Sequence, residues 1–229
     1  MEKNKTVILS YARTPFGSFL GKLAKFSASY LGAQAIKETV NRAKLDSKLI
    51  DEVIVGNVLS AGIGQAPARQ AAIFSGLEKS TNCMTINKVC GSGMKAIMLA
   101  DQSIQLGQSN FIIAGGMESM SNTPHYLTDS RRGTKLGNIK QVDGMVHDGL
   151  WDVYNQVHMG THGEACAEKY KITRKDQDEY AELSYKRSQY AHNEGILNNE
   201  ICDIIDDKGN KVDVVDEEGV TIETEGVLA

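Results

Sequence analysis

Two kinds of hydrophobic pattern alternate along the first half of the chain. Short β-branched runs predict strands, and segments with an apolar residue every three or four positions predict helices. The predicted strands are 7–10, 52–59, 85–89 and 111–115. The predicted helices between them are 31–43, 66–75 and 92–106. Strands separated by helices are typical of βαβ crossovers, so we expect an α/β fold with a largely parallel, mostly covered sheet.

The pattern changes after about residue 120, where a polar and irregular stretch begins. Two capping-box patterns follow it, and each predicts the start of a helix. Two later β-branched runs flank the turn-forming sequence Asp-Lys-Gly-Asn, which predicts a hairpin. The predicted elements are a helix from Thr161 to about Lys169, a helix after Thr173 that ends before Gly195, and a hairpin of 201–205 and 212–215.

Composition excludes several classes of protein. The 229 residues are 41% hydrophobic and 24% charged, so a wholly disordered chain is excluded. No apolar run approaches the roughly 18 residues of a membrane-spanning helix, and we expect no membrane partner. The net charge of −4 gives no support to nucleic-acid binding.

Residues 197–229 carry ten acidic and two basic side chains, which leaves a mildly basic body suited to a small anionic ligand. A solvated acidic face is the plainer interpretation of that end.

The four cysteines are Cys83, Cys90, Cys166 and Cys202, and they form no Cys-x-x-Cys pair. The first five residues lead directly into the first predicted strand, without the pattern of a leader segment. These features favour reduced thiols in an intracellular protein, and we expect a cytoplasmic location.

Cys90 is the strongest candidate for chemistry, because it falls between a predicted strand and a predicted helix. Glycines at 91 and 93 let the backbone turn sharply and let a ligand come close. The positive end of the helix dipole favours a thiolate, and helix N–H groups can bind the oxyanion of a thioester. The alternative is a buried cysteine that acts as a small apolar residue. The residues alone leave both interpretations open, whereas the other three cysteines are interpreted as core.

Other constellations are weaker. His158, His162 and Cys166 have the spacing of a metal-binding helix face, but a helix that starts at Thr161 leaves His158 outside it, so we expect no metal. The glycines around Ser92 do not extend to a dinucleotide-binding pattern. The cluster Arg131, Arg132, Lys135 and Lys140 fits either a solvated loop or a surface for the phosphates of a ligand or for a second subunit.

The motifs together resemble the thiolase family, and within it the biosynthetic, eukaryotic cytosolic-like branch that makes acetoacetyl-CoA. The nucleophile motif is Asn87-Lys-Val-Cys-Gly-Ser-Gly-Met-Lys95. It is supported by segments in the family's order: 13–19, 56–59, 64–70, 114–121, 148–150 and 158–160.

The resemblance implies a layered α/β fold of two similar halves with a loop domain inserted in the first. Residues 1–120 would be the N-terminal core with the nucleophile, and 121–229 the coenzyme A-binding loop domain. It also implies that Cys90 is acylated by acetyl-CoA and that a second acetyl-CoA then attacks to give acetoacetyl-CoA, with thiolysis as the reverse. Leu150, His158 and Met159 match positions along the coenzyme A path. The expected partners are these thioesters, in a homo-oligomer without any other cofactor.

The family also uses residues that this sequence lacks. A histidine in Gly-His-Pro, an acid/base cysteine in Cys-x-Gly-Gly and an Asn-Glu-Ala-Phe segment do not occur, and residues after Lys211 diverge. We therefore expect a fragment whose C-terminal half is missing and which is inactive in isolation. The alternatives are a β-ketoacyl synthase relative and a non-catalytic binding or assembly module with the same fold.

Overall fold

A three-stranded parallel sheet lies at the centre of the protein. The computed structural model describes residues 5–133 and 135–220. The strands are β1 (Glu52–Gly56), β2 (Asn82–Ile86) and β3 (Ile112–Gly116), in the order β2-β1-β3. The helices around them are α1 (Ala28–Ala43), α2 (Pro67–Phe74) and α3 (Ser92–Gln105). The predicted alternation of strands and helices is confirmed.

Helices cover the two faces of this sheet. Because successive side chains of a strand point to opposite faces, Val53 and Val55 pack in the core that includes α1 and α2, whereas Ile54 packs against α3. All three side chains are at most 4% exposed. Small residues let the helices approach closely, and Ala68 and Ala96 are fully buried on α2 and α3. The centre of the sheet is therefore the main core of the described residues.

Local sequence signals explain where the first helices begin. The side chain of Ser27 caps α1 by accepting a hydrogen bond from the Tyr30 N–H at 3.2 Å, so this helix begins three residues before its predicted start. Pro67 opens α2, where its missing N–H costs no hydrogen bond. Lys44 ends α1 in the left-handed conformation with φ of 53°.

Smaller elements follow the sheet. They are the antiparallel pairs β4 (His125–Tyr126) with β5 (Val142–Asp143) and β6 (Trp151–Asp152) with β7 (Val157–His158), then α4 (Met159–Tyr170), α5 (Arg174–Asn193) and the short α6 (Glu217–Val220). Neither α4 nor α5 buries a residue against the described part of the chain. The boundary near residue 120 between two domains stays a prediction. Within residues 5–133 and 135–220, no helix has both the length and the apolar character needed to cross a membrane.

Three strand predictions need correction. Residues 7–10 form no strand, since they join no ladder, and Ile8 is 82% exposed. The run 52–59 ends as a strand at Gly56, because the N–H groups of Val58 and Leu59 donate to the Glu118 carboxylate and not to a neighbouring strand. The strand predicted at 85–89 lies three residues earlier, as β2.

The helix signals of the second half were correct at one position and wrong at another. The capping box of Thr173 and Asp176 is formed with both of its hydrogen bonds, and Gly195 follows α5 with φ of 67°. The predicted start at Thr161 is wrong. Helix α4 begins at Met159, because the His158 side chain accepts a hydrogen bond from the Gly160 N–H at 3.1 Å and caps the helix.

The segment after α5 returns to the first half of the chain. The Cys202 N–H donates to the Arg13 carbonyl at 2.8 Å, and Ile204 is fully buried beside Leu23, Phe26 and Leu31. The predicted hairpin exists as one antiparallel bridge, between residues 205 and 211, and its arms do not become full strands. The first and last parts of the described chain therefore share a core.

Helix α3 is rich in apolar residues in its first half, but only one of its faces is covered. Ala96 and Ala100 are buried against the sheet. By contrast, Met94, Ile97 and Met98 are 72%, 54% and 50% exposed. An exposed apolar surface of this kind favours association between chains.

We predict that the chain self-associates through this face. Replacing Ile97 and Met98 with lysine should shift the chain toward a monomer in size-exclusion chromatography with light scattering, because charge on the face opposes its burial. The matched control is Leu136→Lys, a change at an isolated side chain that is 96% exposed. A wild-type chain that stays monomeric at all concentrations would contradict the prediction.

Candidate functional site

Cys90 lies in a tight turn between β2 and α3. The Gly91 N–H donates to the Lys88 carbonyl and the Ser92 N–H donates to the Val89 carbonyl, both at 3.1 Å. The Cys90 residue is exposed, so its thiol is not the buried apolar group of the alternative interpretation. The predicted position between a strand and a helix is therefore observed.

Three glycines bring the start of α3 against the ends of the strands. Gly56 pairs with Gly116 in the sheet register, so β1 and β3 end at the same level. A Cβ atom on Gly56 would lie 2.5 Å from the Ser92 Cβ, and one on Gly116 would lie 3.3 Å from the Gly93 Cα. Only glycine at 56 leaves room for this contact, which fixes the first turn of α3 at the carboxyl edge of the sheet.

The first turn of α3 can stabilise negative charge beside Cys90. The first N–H groups of a helix have no partner within the helix, and the helix dipole is positive at that end. In α3 the first of them, the Ser92 N–H, donates to the Val89 carbonyl, so the stabilisation comes from the dipole and from the N–H groups that follow Ser92. Gly91, the residue before the helix, offers no side chain to cap them. A thiolate or a thioester oxyanion near Cys90 would therefore meet favourable backbone dipoles.

Cys90 opens into a cavity of about 680 Å³. The segments 12–19 and 116–121 form two of its walls, and Leu150 contributes from the turn before β6. Most of the lining is aliphatic or backbone. Among the lining residues, the titratable side chains are Arg13, Cys90 and Glu118.

Glu118 holds the loop that follows β1. Its carboxylate accepts hydrogen bonds from Asn57 Nδ2 at 2.7 Å, from the Val58 N–H at 2.9 Å and from the Leu59 N–H at 3.2 Å. Burial raises the pKa of Glu118 above its ordinary value, and the three hydrogen bonds oppose that shift only in part. The carboxylate is thus engaged in shaping the cavity wall.

Arg13 fixes the other wall to the end of the described chain. Its guanidinium donates to both carboxylate oxygens of Asp216, at 2.8 and 2.9 Å, and to Glu200 at 2.7 Å. Asp216 also accepts from the Phe16 N–H at 2.8 Å. Burial acts to raise the pKa of Asp216, but the contacts with Arg13 and Phe16 outweigh it and the pKa lies below the ordinary value.

The structure brings only part of the predicted site together. Leu150 lines the cavity with Cys90, whereas His158 and Met159 are absent from its lining. His158 caps α4, and Met159 is 41% exposed in the first turn of that helix. The roles of all four residues in catalysis and coenzyme A binding stay predictions.

The histidines do not form a metal centre. His162 Nε2 lies 2.8 Å from Asp152 Oδ2, an exposed contact between α4 and β6. In the part of the chain that the structure describes, no group of three His, Cys, Asp or Glu side chains is arranged to hold a metal ion.

The other cysteines differ from one another in burial. Cys83 packs against the main core and Cys202 is buried, as predicted. Burial raises the pKa of Cys83, and it raises the pKa of Cys202 to about 11. The prediction that Cys166 is core is wrong: it is exposed, and α4 buries no residue against the described part of the chain.

Comparison with known proteins identifies the family. Residues 6–226 match the family model described as the thiolase N-terminal domain, so the chain belongs to the thiolase family. The structure resembles that of the Acat5 thiolase from Ascaris suum in complex with coenzyme A, with a TM-score of 0.82 and 44% identity over 86% of this chain and 51% of that one. The α/β prediction and the thiolase-like fold are confirmed.

Curated relatives carry names from the same family. Acetyl-CoA acetyltransferase 1 of Arabidopsis thaliana is 53% identical over 84% of this chain and 46% of its own length. The cytosolic acetyl-CoA acetyltransferase ERG10 of Gibberella zeae is 51% identical over 83% of this chain and 48% of its own. The chain therefore spans about half the length of these relatives.

We predict that Asp216→Asn destabilises the fold by about 2 kcal/mol at pH 7, because it removes charge from a paired and mostly buried carboxylate. Because the pKa of Asp216 lies below its ordinary value, the ionised carboxylate stabilises the fold above about pH 4. That stabilisation is lost as the pH falls through the pKa that Asp216 has in the folded state. The difference in the free energy of unfolding between wild type and Asp216→Asn, measured by urea unfolding, should therefore become smaller below about pH 4.

The matched control for that measurement is Asp213→Asn. Asp213 is fully exposed and pairs with Lys22 only at 3.9 Å, so its replacement should leave stability nearly unchanged. Equal effects of the two substitutions would contradict the role assigned to Arg13 and Asp216.

Proposed function

We propose that Cys90 is the nucleophile of a thiolase that condenses two molecules of acetyl-CoA to acetoacetyl-CoA and catalyses the reverse thiolysis. The observation that carries the proposal is the position of an exposed thiol at the uncapped N-terminus of α3, inside a mainly aliphatic cavity. Membership of the thiolase family and the names of the relatives support the choice of substrate.

The first step transfers an acetyl group to the protein. The Cys90 sulfur attacks the carbonyl carbon of acetyl-CoA, and the N–H groups at the start of α3 stabilise the oxyanion that forms. A bond from carbon to the Cys90 sulfur replaces the bond from carbon to the coenzyme A sulfur. Coenzyme A leaves as a thiolate and takes up a proton. One thioester replaces another, so the step is close to balanced in free energy.

The second step forms the carbon–carbon bond. A second acetyl-CoA loses a proton from its methyl group to a base, and the carbanion attacks the acetyl carbon on Cys90. The bond between that carbon and the Cys90 sulfur breaks, which releases acetoacetyl-CoA and restores the thiolate. This step requires an acid/base group in reach of the methyl carbon.

The described residues supply no free group for that proton transfer at the cavity. Arg13 is paired with Asp216 and Glu200, and the Glu118 carboxylate accepts three hydrogen bonds. We therefore infer that this chain alone forms the acyl-enzyme but does not complete the condensation. The relatives are about twice as long, which leaves room for the missing groups in their remaining halves.

Coenzyme A would reach Cys90 past the turn before β6. Leu150 lines the cavity, and its apolar surface suits the pantetheine arm of the coenzyme. His158 and Met159 lie farther along the same segment and would contact the coenzyme outside the cavity. We propose no cofactor besides the thioester substrates.

Assembly and location complete the proposal. We propose a homo-oligomer, supported by the exposed apolar face of α3. We propose a cytoplasmic location, in line with the cytosolic relative from Gibberella zeae, while mitochondrial relatives also occur. A fluorescent fusion of the full gene product distinguishes the two compartments.

Incubation with acetyl-CoA should add one acetyl group to the chain and release one equivalent of coenzyme A. Peptide mapping after intact-mass analysis should place the acetyl group on Cys90, because its thiol is exposed at a helix N-terminus. Cys90→Ala should abolish the adduct, and Cys166→Ala, which removes the other exposed thiol, should not. An unmodified chain would favour the alternative of a non-catalytic module with the same fold.

Steady-state thiolysis of acetoacetyl-CoA by the purified chain should be slower than that of the full-length Arabidopsis relative by at least about 10²-fold, the usual contribution of one positioned acid/base group. Contamination by host enzyme is controlled with Cys90→Ala prepared in the same way. Rapid thiolysis that disappears in Cys90→Ala would show that this chain contains its own base.

A further inference from the structure

The backbone is strained immediately before Cys90. Val89 has φ of 48°, and it is the one β-branched residue among the non-glycine residues with positive φ in the described part of the chain. A branched side chain in this left-handed region crowds the backbone, so the conformation is unfavourable by itself. Something in the fold must hold Val89 there.

The hydroxyl of Ser92 holds both ends of the turn. Its oxygen accepts a hydrogen bond from the Lys88 N–H at 2.8 Å and donates one to the Val89 carbonyl at 2.6 Å. The φ rotation of Val89 lies between these two bonded groups, so the hydroxyl restrains it. Ser92 is only 5% exposed, which shields these bonds from competing water.

The position of Ser92 is itself determined by the sheet. Its Cβ occupies the space that a side chain at Gly56 would need, because the two Cβ atoms would lie only 2.5 Å apart. The hydroxyl is thus carried by a rigid point, the contact of α3 with the end of β1. Strain in the turn is therefore balanced by a buried and well-anchored side chain.

We propose that Ser92 is a positioning residue that keeps Val89 in the left-handed conformation and thereby places the Cys90 thiol at the N-terminus of α3. The inference rests on the proposed role of Cys90 as the nucleophile. Without the hydroxyl, the turn keeps the bond from the Ser92 N–H to the Val89 carbonyl and the bond from the Val89 N–H to Asn87 Oδ1 at 2.9 Å. It loses the two bonds of the hydroxyl that oppose the strain at Val89, so Val89 relaxes toward negative φ and the thiol moves away from the helix dipole that activates it.

The test is the rate of alkylation of Cys90 by iodoacetamide, followed by peptide mapping of the full chain. Ser92→Ala should lower the rate constant for Cys90 by about tenfold at pH 7, because thiol reactivity depends on the electropositive surroundings. The rate for the exposed Cys166 serves as an internal control and should not change. Labelling of the buried Cys202 reports unfolding and should stay low.

A second variant separates positioning from simple stability. Glycine adopts positive φ without steric cost, so Val89→Gly in the Ser92→Ala background lets the turn keep its shape without the hydroxyl. The double variant should react within about threefold of the wild type, and Val89→Gly alone should react at the wild-type rate. Relief of strain at Val89 also adds stability, so labelling of the buried Cys202 is compared in all variants: positioning predicts that it stays low while the rate at Cys90 changes.

Two results would overturn the proposal. One is a Ser92→Ala variant whose Cys90 reacts at the wild-type rate, and the other is a slow variant that Val89→Gly fails to rescue. Failure of the proposed function is visible separately, as a wild-type Cys90 that reacts no faster than Cys166 or accepts no acetyl group from acetyl-CoA.

Discussion

The contact between the first turn of α3 and the ends of β1 and β3 is the constraint on which the site depends. It exists because residues 56, 93 and 116 carry no side chains, so backbone meets backbone at the carboxyl edge of the sheet. Cys90 precedes this turn by two residues, and the thiol therefore takes its position from the sheet. A flexible loop could present the same thiol, but it could not hold it at the positive end of a helix.

The two walls of the cavity are held in different ways. Glu118 fixes the wall next to the sheet through three hydrogen bonds within the α/β core. Arg13 fixes the wall of residues 12–19 through the carboxylates of residues 200 and 216. In both walls, a buried or half-buried carboxylate accepts hydrogen bonds from fixed donors. Such contacts define the geometry of the walls closely but add little net stability to the fold. Cys90 thus opens into a cavity whose lining is held in place by both groups of hydrogen bonds.

Local sequence patterns were sufficient to predict the order of strands and helices, but not the features that depend on contacts between residues distant in the chain. The strand-helix order and the place of Cys90 follow from periodicity and glycine spacing, and the prediction was confirmed. The strand predicted at 7–10 is not formed, because a strand also needs a neighbouring strand to pair with, and a hydrophobic run does not reveal whether one is present. Asp216 gave no signal of its own, since its partner lies 203 residues away. Ser92 and Glu118 lay inside recognised motifs, but only the fold shows what their side chains bond to.

The pairing of Arg13 with Asp216 also sets an order of events during synthesis. The sheet and α3 involve residues up to 116 and can form from nearby contacts, whereas the wall that contains Arg13 must wait for a partner made some 203 residues later. During translation the thiol would therefore exist for a time beside an unfinished wall. Nascent chains would then carry the exposed thiol before the surrounding cavity is complete, and during that interval oxidants and electrophiles meet Cys90 without the wall of residues 12–19 in its final place.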